Sequence, residues 1–310
     1  MRRFIILSVL VAGLVACHQE DDAAARKAAD AALLAYKQQV IKVRGERIER
    51  LTKPTGWLSL VGLHWLELGT TRVGSGEDNG TRLATGPAHV GVITLDKDGK
   101  LSFVPDLTAS ITVDGQAATG PVTLVPDSVG EPTVVGFDNG QASFVVHASA
   151  DHFGLRVRDA RAKTLTQFAG IEYFDIDPSF RLIGKFKPHP AGQKIEIINI
   201  LGMVEPMDNP GTLTVEKDGK SFTMEAVDEG DHRLFFTFAD RTSGHESYAA
   251  ARFVYAAYPG PDGTTTLDFN TAYNPPCAFT PYATCPLPPP SNRLDLAVRA
   301  GERKPRVEID

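Results

Sequence analysis

Asp98-Gly99, Asp114-Gly115, Asp218-Gly219 and Asp262-Gly263 punctuate short runs of alternating apolar residues, and this pattern commits most of the chain to antiparallel β-structure. A two-residue turn between right-twisted strands needs positive φ at both positions, which Asp-Gly supplies at low cost. Ile93 and Leu95 before one turn, with Leu101 and Phe103 after it, predict a hairpin with one buried face. Leu213 and Val215 should face Phe222 and Met224 in the same way around Asp218-Gly219. Little beyond Gly56 has a helical period, and the sequence has no internal repeat.

The exception is residues 21–51, rich in Ala, Lys, Arg and Glu, with Leu33, Tyr36, Val40 and Val43 spaced three and four apart. This spacing predicts one amphipathic helix, capped by Asp21 or Asp22 and ended by Pro54-Thr55-Gly56. Packing its Leu33/Tyr36 stripe on the body is preferred to a spacer role, because solitary helices are marginal in water. Trp57, Leu58, Leu60, Leu63 and Trp65 read as core residues clamping this helix to the first sheets.

Ahead of the helix, Arg2-Arg3 and an apolar stretch ending at Val15 make an export signal over residues 1–16, far shorter than the ~20 residues of a spanning helix. Leu14-Val15-Ala16-Cys17 resembles the bacterial lipobox. That resemblance implies a diacylglycerol, with acyl chains such as palmitate, on Cys17 of an otherwise soluble, periplasm-facing protein. His18, where Asp would signal retention, points to the outer membrane. The expected domains are therefore a lipidated N-terminus and helix (17–55), a β-sandwich (56–160) and a second antiparallel β domain (161–310). The charged run 156–163 between the last two reads equally as a solvated strand edge or a linker. A net charge of -6 with scattered cations argues against nucleic acid as a partner.

The segment from Trp65 to Gly74 has a faint likeness to the opening of forkhead-associated sandwiches. Those modules follow the glycine with Arg and later carry Ser-Arg-x-His. This chain has Ser75 and lacks the second motif, so phosphothreonine binding does not carry over.

Two polar segments of the second half follow apolar strands and are expected to meet at neighbouring strand ends. They bring Asp240, Tyr248, Arg252, Asp268, Asn270, Tyr273, Asn274, Asn292 and Arg293 towards one cavity. Arg252 and Arg293 would hold an anionic group, the tyrosine and asparagines would orient it, and Asp240 and Asp268 are the candidate bases. A purely structural network of Asp–Arg pairs and Asn-capped turns is the alternative reading. Cys277 and Cys285 flank a Pro281-braced loop, and in an oxidising compartment a disulfide is their expected state. A two-thiolate metal site with His232, His245 or Asp268 and a low-pKa nucleophile are the alternatives. His147 and His152 around Asp151 offer a weaker metal motif, more often a turn with exposed imidazoles. No cofactor is expected, because phosphate-binding glycine loops are absent.

These segments, with Gly56-Trp57-Leu58-Ser59-Leu60-Val61-Gly62-Leu63-His64-Trp65-Leu66, resemble the bacterial family of unknown function numbered 1684 over residues 47–303. The likeness is most specific in Asn274-Pro275-Pro276-Cys277-Ala278-Phe279 and Thr284-Cys285-Pro286-Leu287-Pro288. Ala251-Arg252-Phe253 stands where the family reads Gly-Arg-Phe. The resemblance implies no activity and no catalytic residue. The functional expectation is an envelope lipoprotein that binds a small polar or anionic molecule in its second β domain. A hydrolase using the same cavity and a non-catalytic envelope structural or interaction protein are the alternatives.

Overall fold

A computed structural model describes residues 6–306, with side chains from residue 23 onward. The export-signal side chains and Cys17 lie outside the described side chains. Helix α1 (Ile6–Leu51) ends before Pro54-Thr55-Gly56 as expected, but it begins well ahead of Asp21 and Asp22, the expected start. Among the described residues no helix is long and apolar enough to cross a membrane. The chain divides at Glu46 into a helical segment and a compact unit beginning at Arg47.

Within the compact unit, the last turn of α1 brings Leu51 into a cluster with Leu58, Ala278 and Phe279. The helix end is thus clamped to the cysteine loop, whereas the sequence suggested the sandwich. Leu58 and Leu60 are buried; Trp57, Leu63 and Trp65 are only half-buried.

Eleven strands follow up to Asp159: β1 (Leu60–Trp65), β2 (Gly69–Gly74), β3 (Thr81–Arg82), β4 (Gly91–Leu95), β5 (Leu101–Pro105), β6 (Thr112–Val113), β7 (Gln116–Ala117), β8 (Val122–Leu124), β9 (Val135–Phe137), β10 (Ala142–Ser149) and β11 (His152–Asp159). They form two sheets, ordered β1-β11-β10-β9-β6-β7 and β3-β2-β4-β5-β8, antiparallel apart from the short β2–β3 pair. Both sheets supply one apolar core that includes Val73, Ile93, Phe103, Phe137, Phe144 and Leu155. The β4–β5 register pairs Ile93 with Phe103 and Leu95 with Leu101, all four buried, as the alternation requires. The charged run 156–163 is neither edge nor linker where it begins: Arg156, Arg158 and Asp159 belong to β11, which lies between β1 and β10.

The second half contains β12 (Arg181–Pro188), β13 (Lys194–Ile198), β14 (Val204–Lys217), β15 (Lys220–Asp228), β16 (Arg233–Phe238), β17 (Arg252–Ala257) and β18 (Thr264–Asp268). Its sheet runs β17-β16-β15-β14-β12-β18, with β13 added beside β14. The ends approach each other, Thr265 of β18 donating to the Ala257 carbonyl of β17 at 2.8 Å, so the sheet curls towards a barrel. Asp218 and Gly219 have φ of 52° and 75°, the positive pair their turn demands. Asp262-Gly263 instead turns the chain just before β18, whose ladder partner is β12.

Beyond β18 no further strand of the described chain forms. Pro275, Pro276, Pro281, Pro286, Pro288, Pro289 and Pro290 bring no N–H to a ladder, so this strap touches the body through single bridges, Phe253 to Tyr273, Asn199 to Pro286 and Ala239 to Arg293. Further backbone bonds, such as the Arg241 amide to the Leu296 carbonyl at 2.9 Å, and side-chain hydrogen bonds complete the attachment.

Candidate functional site

The sequence placed Asp240, Arg252, Asn270, Asn274 and Asn292 around an open cavity, but each of them is buried and engaged in holding the strap. The Arg252 side chain is 1% exposed and that of Asp240 is fully buried. Arg252 Nη2 donates to Asp240 Oδ1 at 3.1 Å and to the Val298 carbonyl at 2.8 Å, while Nη1 donates to the Ala300 carbonyl at 2.6 Å. Asp240 also accepts from the Val298 amide at 2.7 Å and from the Thr242 amide and hydroxyl. A carboxylate so saturated and sealed from water is not placed to act as a general base. Burial lowers the pKa of Arg252, while Asp240 opposes that shift.

The asparagines substitute for missing ladder bonds. Asn292 accepts from the Glu225 amide at 2.8 Å and donates to the carbonyls of Glu225 and Thr237 at 2.9 and 3.0 Å. Asn270 exchanges bonds with the Asp177 amide and carbonyl, and Asp268 caps the turn that contains it. Asn274 donates from its amide to Glu302 Oε2 at 2.7 Å and from Nδ2 to the Arg303 carbonyl at 2.7 Å. Glu302, which the sequence did not single out, is fully buried; it accepts from Arg47 Nε at 3.2 Å, and burial raises its pKa. Tyr273 is half-buried under the Arg47 guanidinium, 4.7 Å from its ring centre, and burial pushes its phenol up to about 12. Tyr248 donates to the Cys277 carbonyl at 3.0 Å.

Arg293 alone of the expected ligand residues stands in the open. It lines a groove of about 580 Å³ with Lys220, Ser221, Phe222, Thr223, Ser291, Leu294 and Asp295. Asp295 is paired with Arg241 and lies 3.5 Å from Lys220 Nζ, leaving the groove with more positive than negative groups.

Cys277 and Cys285 are both free thiols, so the expected disulfide is not formed. The Cys277 amide donates to Cys285 Sγ at 3.1 Å, a contact that tightens the loop without a covalent bridge. Burial pushes the Cys285 thiol up, making it a poor nucleophile at neutral pH. Among the described residues no group of three or more His, Cys, Asp or Glu is gathered as a metal site.

His147 does not pair with Asp151. Its Nδ1 lies 2.8 Å from Asp127 Oδ2, and its Nε2 lies 2.9 Å from Thr284 Oγ1 in the cysteine loop. Arg156 Nη1 donates to the same Asp127 oxygen at 3.1 Å. Sequence spacing carries no signal for this junction, because Thr284 and His147 are 137 residues apart.

The fold and site define a mainly β protein whose proline-rich C-terminal strap is fastened by buried Asn, Asp and Arg side chains. The chain belongs to the family described as "Protein of unknown function (DUF1684)", which matches residues 166–303. It is similar to an uncharacterized protein of Haloarcula marismortui, known from a solution NMR structure, at 33% identity. That alignment covers 44% of this chain and 78% of the other, with a TM-score of 0.37. No curated protein matches the chain.

Proposed function

We propose that this protein is an exported, lipid-anchored receptor of the cell envelope that holds a small polar or anionic molecule in the Arg293 groove. The carrying observation is the pairing of Arg293 and Lys220 with the hydroxyl residues Ser221, Thr223 and Ser291 on one concavity. Its volume falls within the roughly 300–1,000 Å³ typical of small-molecule sites. A guanidinium offers a planar fork to a carboxylate or phosphate, and hydroxyls add neutral donors that also suit a sugar. Binding without turnover is the reading favoured here, since no carboxylate in the groove is both accessible and unpaired. The hydrolase alternative built on Asp240 finds no support in a side chain buried against Arg252. Cys17 acylation would keep the binding half at the membrane, facing the periplasm.

Calorimetric titration of the soluble chain with inorganic phosphate, citrate and glucuronate tests the groove. Saturable binding by any of them that weakens at least tenfold in Arg293→Ala supports the reading; equal affinity in the variant, or no binding, removes it. Radiolabelled palmitate incorporation that disappears in Cys17→Ser tests the anchor separately.

A further inference from the structure

We propose that Asp127, His147 and Thr284 form a catalytic relay in which Thr284 attacks small uncharged carboxylic esters. This site is separate from the Arg293 groove, and neither reading depends on the other.

Geometry supports each role. Asp127 lies on the connection between β8 and β9, fixed by its amide bond to the Val146 carbonyl at 2.9 Å and by the Ala148 amide on Oδ1 at 3.0 Å. Burial works against ionisation of Asp127, but hydrogen bonds from His147 and Ala148 outweigh it and keep its pKa below the ordinary value. An ionised carboxylate at 2.8 Å requires the proton on His147 Nδ1. Nε2 is then the acceptor, directed at the Thr284 hydroxyl. This is the nucleophile–base–orienter order that activates a hydroxyl.

The chain just after Thr284 is fixed to the β13–β14 connection. The Cys285 carbonyl accepts from the Ile200 amide at 2.9 Å, and the Leu287 amide donates to the Ile198 carbonyl at 2.8 Å. Thr284 is half-buried while its base is nearly enclosed, so a substrate would approach from the hydroxyl side. Two aromatic residues flank the relay: the Trp65 ring centre is 6.2 Å from that of His147, and Arg156 lies over Trp57 at 5.0 Å. These surfaces favour an uncharged acyl or aryl group. Arg156 Nε is buried with no hydrogen-bond partner among the described residues, while Nη1 of the same guanidinium holds Asp127 at 3.1 Å.

The reaction closes in two steps. The Thr284 hydroxyl oxygen bonds to the ester carbonyl carbon, its proton passes to His147 Nε2, and the C–O bond to the leaving alcohol breaks as the imidazolium returns that proton to the alkoxide. Water then adds to the acyl-threonine with His147 again taking its proton, releasing the carboxylic acid and restoring the Thr284 hydroxyl.

The test uses the soluble chain and p-nitrophenyl acetate, with release of p-nitrophenol followed by absorbance and the acetylated peptide located by mass spectrometry after acid quench. Turnover above the buffer rate and acetyl on Thr284 are expected, with Thr284→Ser retaining activity. Thr284→Val and His147→Asn should each lose roughly 100-fold or more. Thermal melts of both variants identify any that fail to fold, and Asp127→Asn, which changes the tautomer of His147 but can keep the contact, provides a second decrease. Absence of turnover in the unmodified chain, acetyl only on other residues, or undiminished turnover in a folded Thr284→Val chain would overturn the proposal and leave these contacts as a clasp between the two halves.

Discussion

Arg252 at the start of β17 and Asp240, two residues past the end of β16, share a hydrogen bond of 3.1 Å beneath residues 298–302. Each charge is neutralised by the other, and carbonyls and amides from Val298 to Glu302 complete the shell. The pair is therefore a fastening between barrel and strap.

Arg252→Leu should destabilise the protein by about 3–5 kcal/mol, because it leaves the Asp240 carboxylate buried without its countercharge. Arg252→Lys should recover little, since an ammonium lacks the fork that reaches the carbonyls of Val298 and Ala300. Urea denaturation followed by tryptophan fluorescence measures both.

Asn292→Ala removes one acceptor and two donors and leaves backbone groups of Glu225 and Thr237 without partners. A loss of about 3 kcal/mol is expected in the same assay. Asn292→Asp should fare no better, as a carboxylate cannot donate to the two carbonyls.

Gly301 has φ of +78°, and a Cβ there would sit 2.4 Å from the Ala272 carbonyl oxygen and 2.8 Å from that of Phe269. Gly301→Ala should cost more than about 2 kcal/mol, combining backbone strain with the clash. Gly115, with φ of +77° and nothing within 4 Å of its added Cβ, is the control; Gly115→Ala should cost only about 1 kcal/mol. Comparison of melting temperatures separates the two.

Hydrogen bonding to Arg161 lowers the pKa of Asp159 to about 2 from an ordinary 3.8. A depressed carboxylate pKa contributes stability above the unfolded value, and that contribution fades as pH falls from about 4 through 2. Because Arg161 is half exposed, solvent screening reduces the gain to roughly 1 kcal/mol. Asp159→Asn should therefore lower stability at pH 7 and lose most of that difference near pH 2. Urea midpoints across this range provide the check.

The hairpins were legible because their determinants are local: Asp-Gly fixes the turn, and Leu213, Val215, Phe222 and Met224 fix the buried face. Mainly β architecture follows from that repetition. The mistaken start of α1 arose from reading Asp21 and Asp22 as caps, although acidic residues also occur within helices. The site failed for a physical reason. Asp, Arg and Asn placed near strand ends look the same in sequence whether they face a ligand or a proline-rich segment of the same chain. Only the fold reveals that Val298, Ala300 and Glu302 occupy the space the cavity would need. The distant contact between His147 and Thr284 was likewise invisible, since spacing reports neighbours on one element and this contact joins two.

The strap also sets a timetable. Arg252, Asp240, Asn274 and Arg47 receive partners from residues 298–303, so until that segment docks these groups lack part of their hydrogen-bond shell. The buried polar groups of the second half are therefore completed only by a segment that follows all seven strands of its sheet, which makes the docking of that segment a closing step of folding.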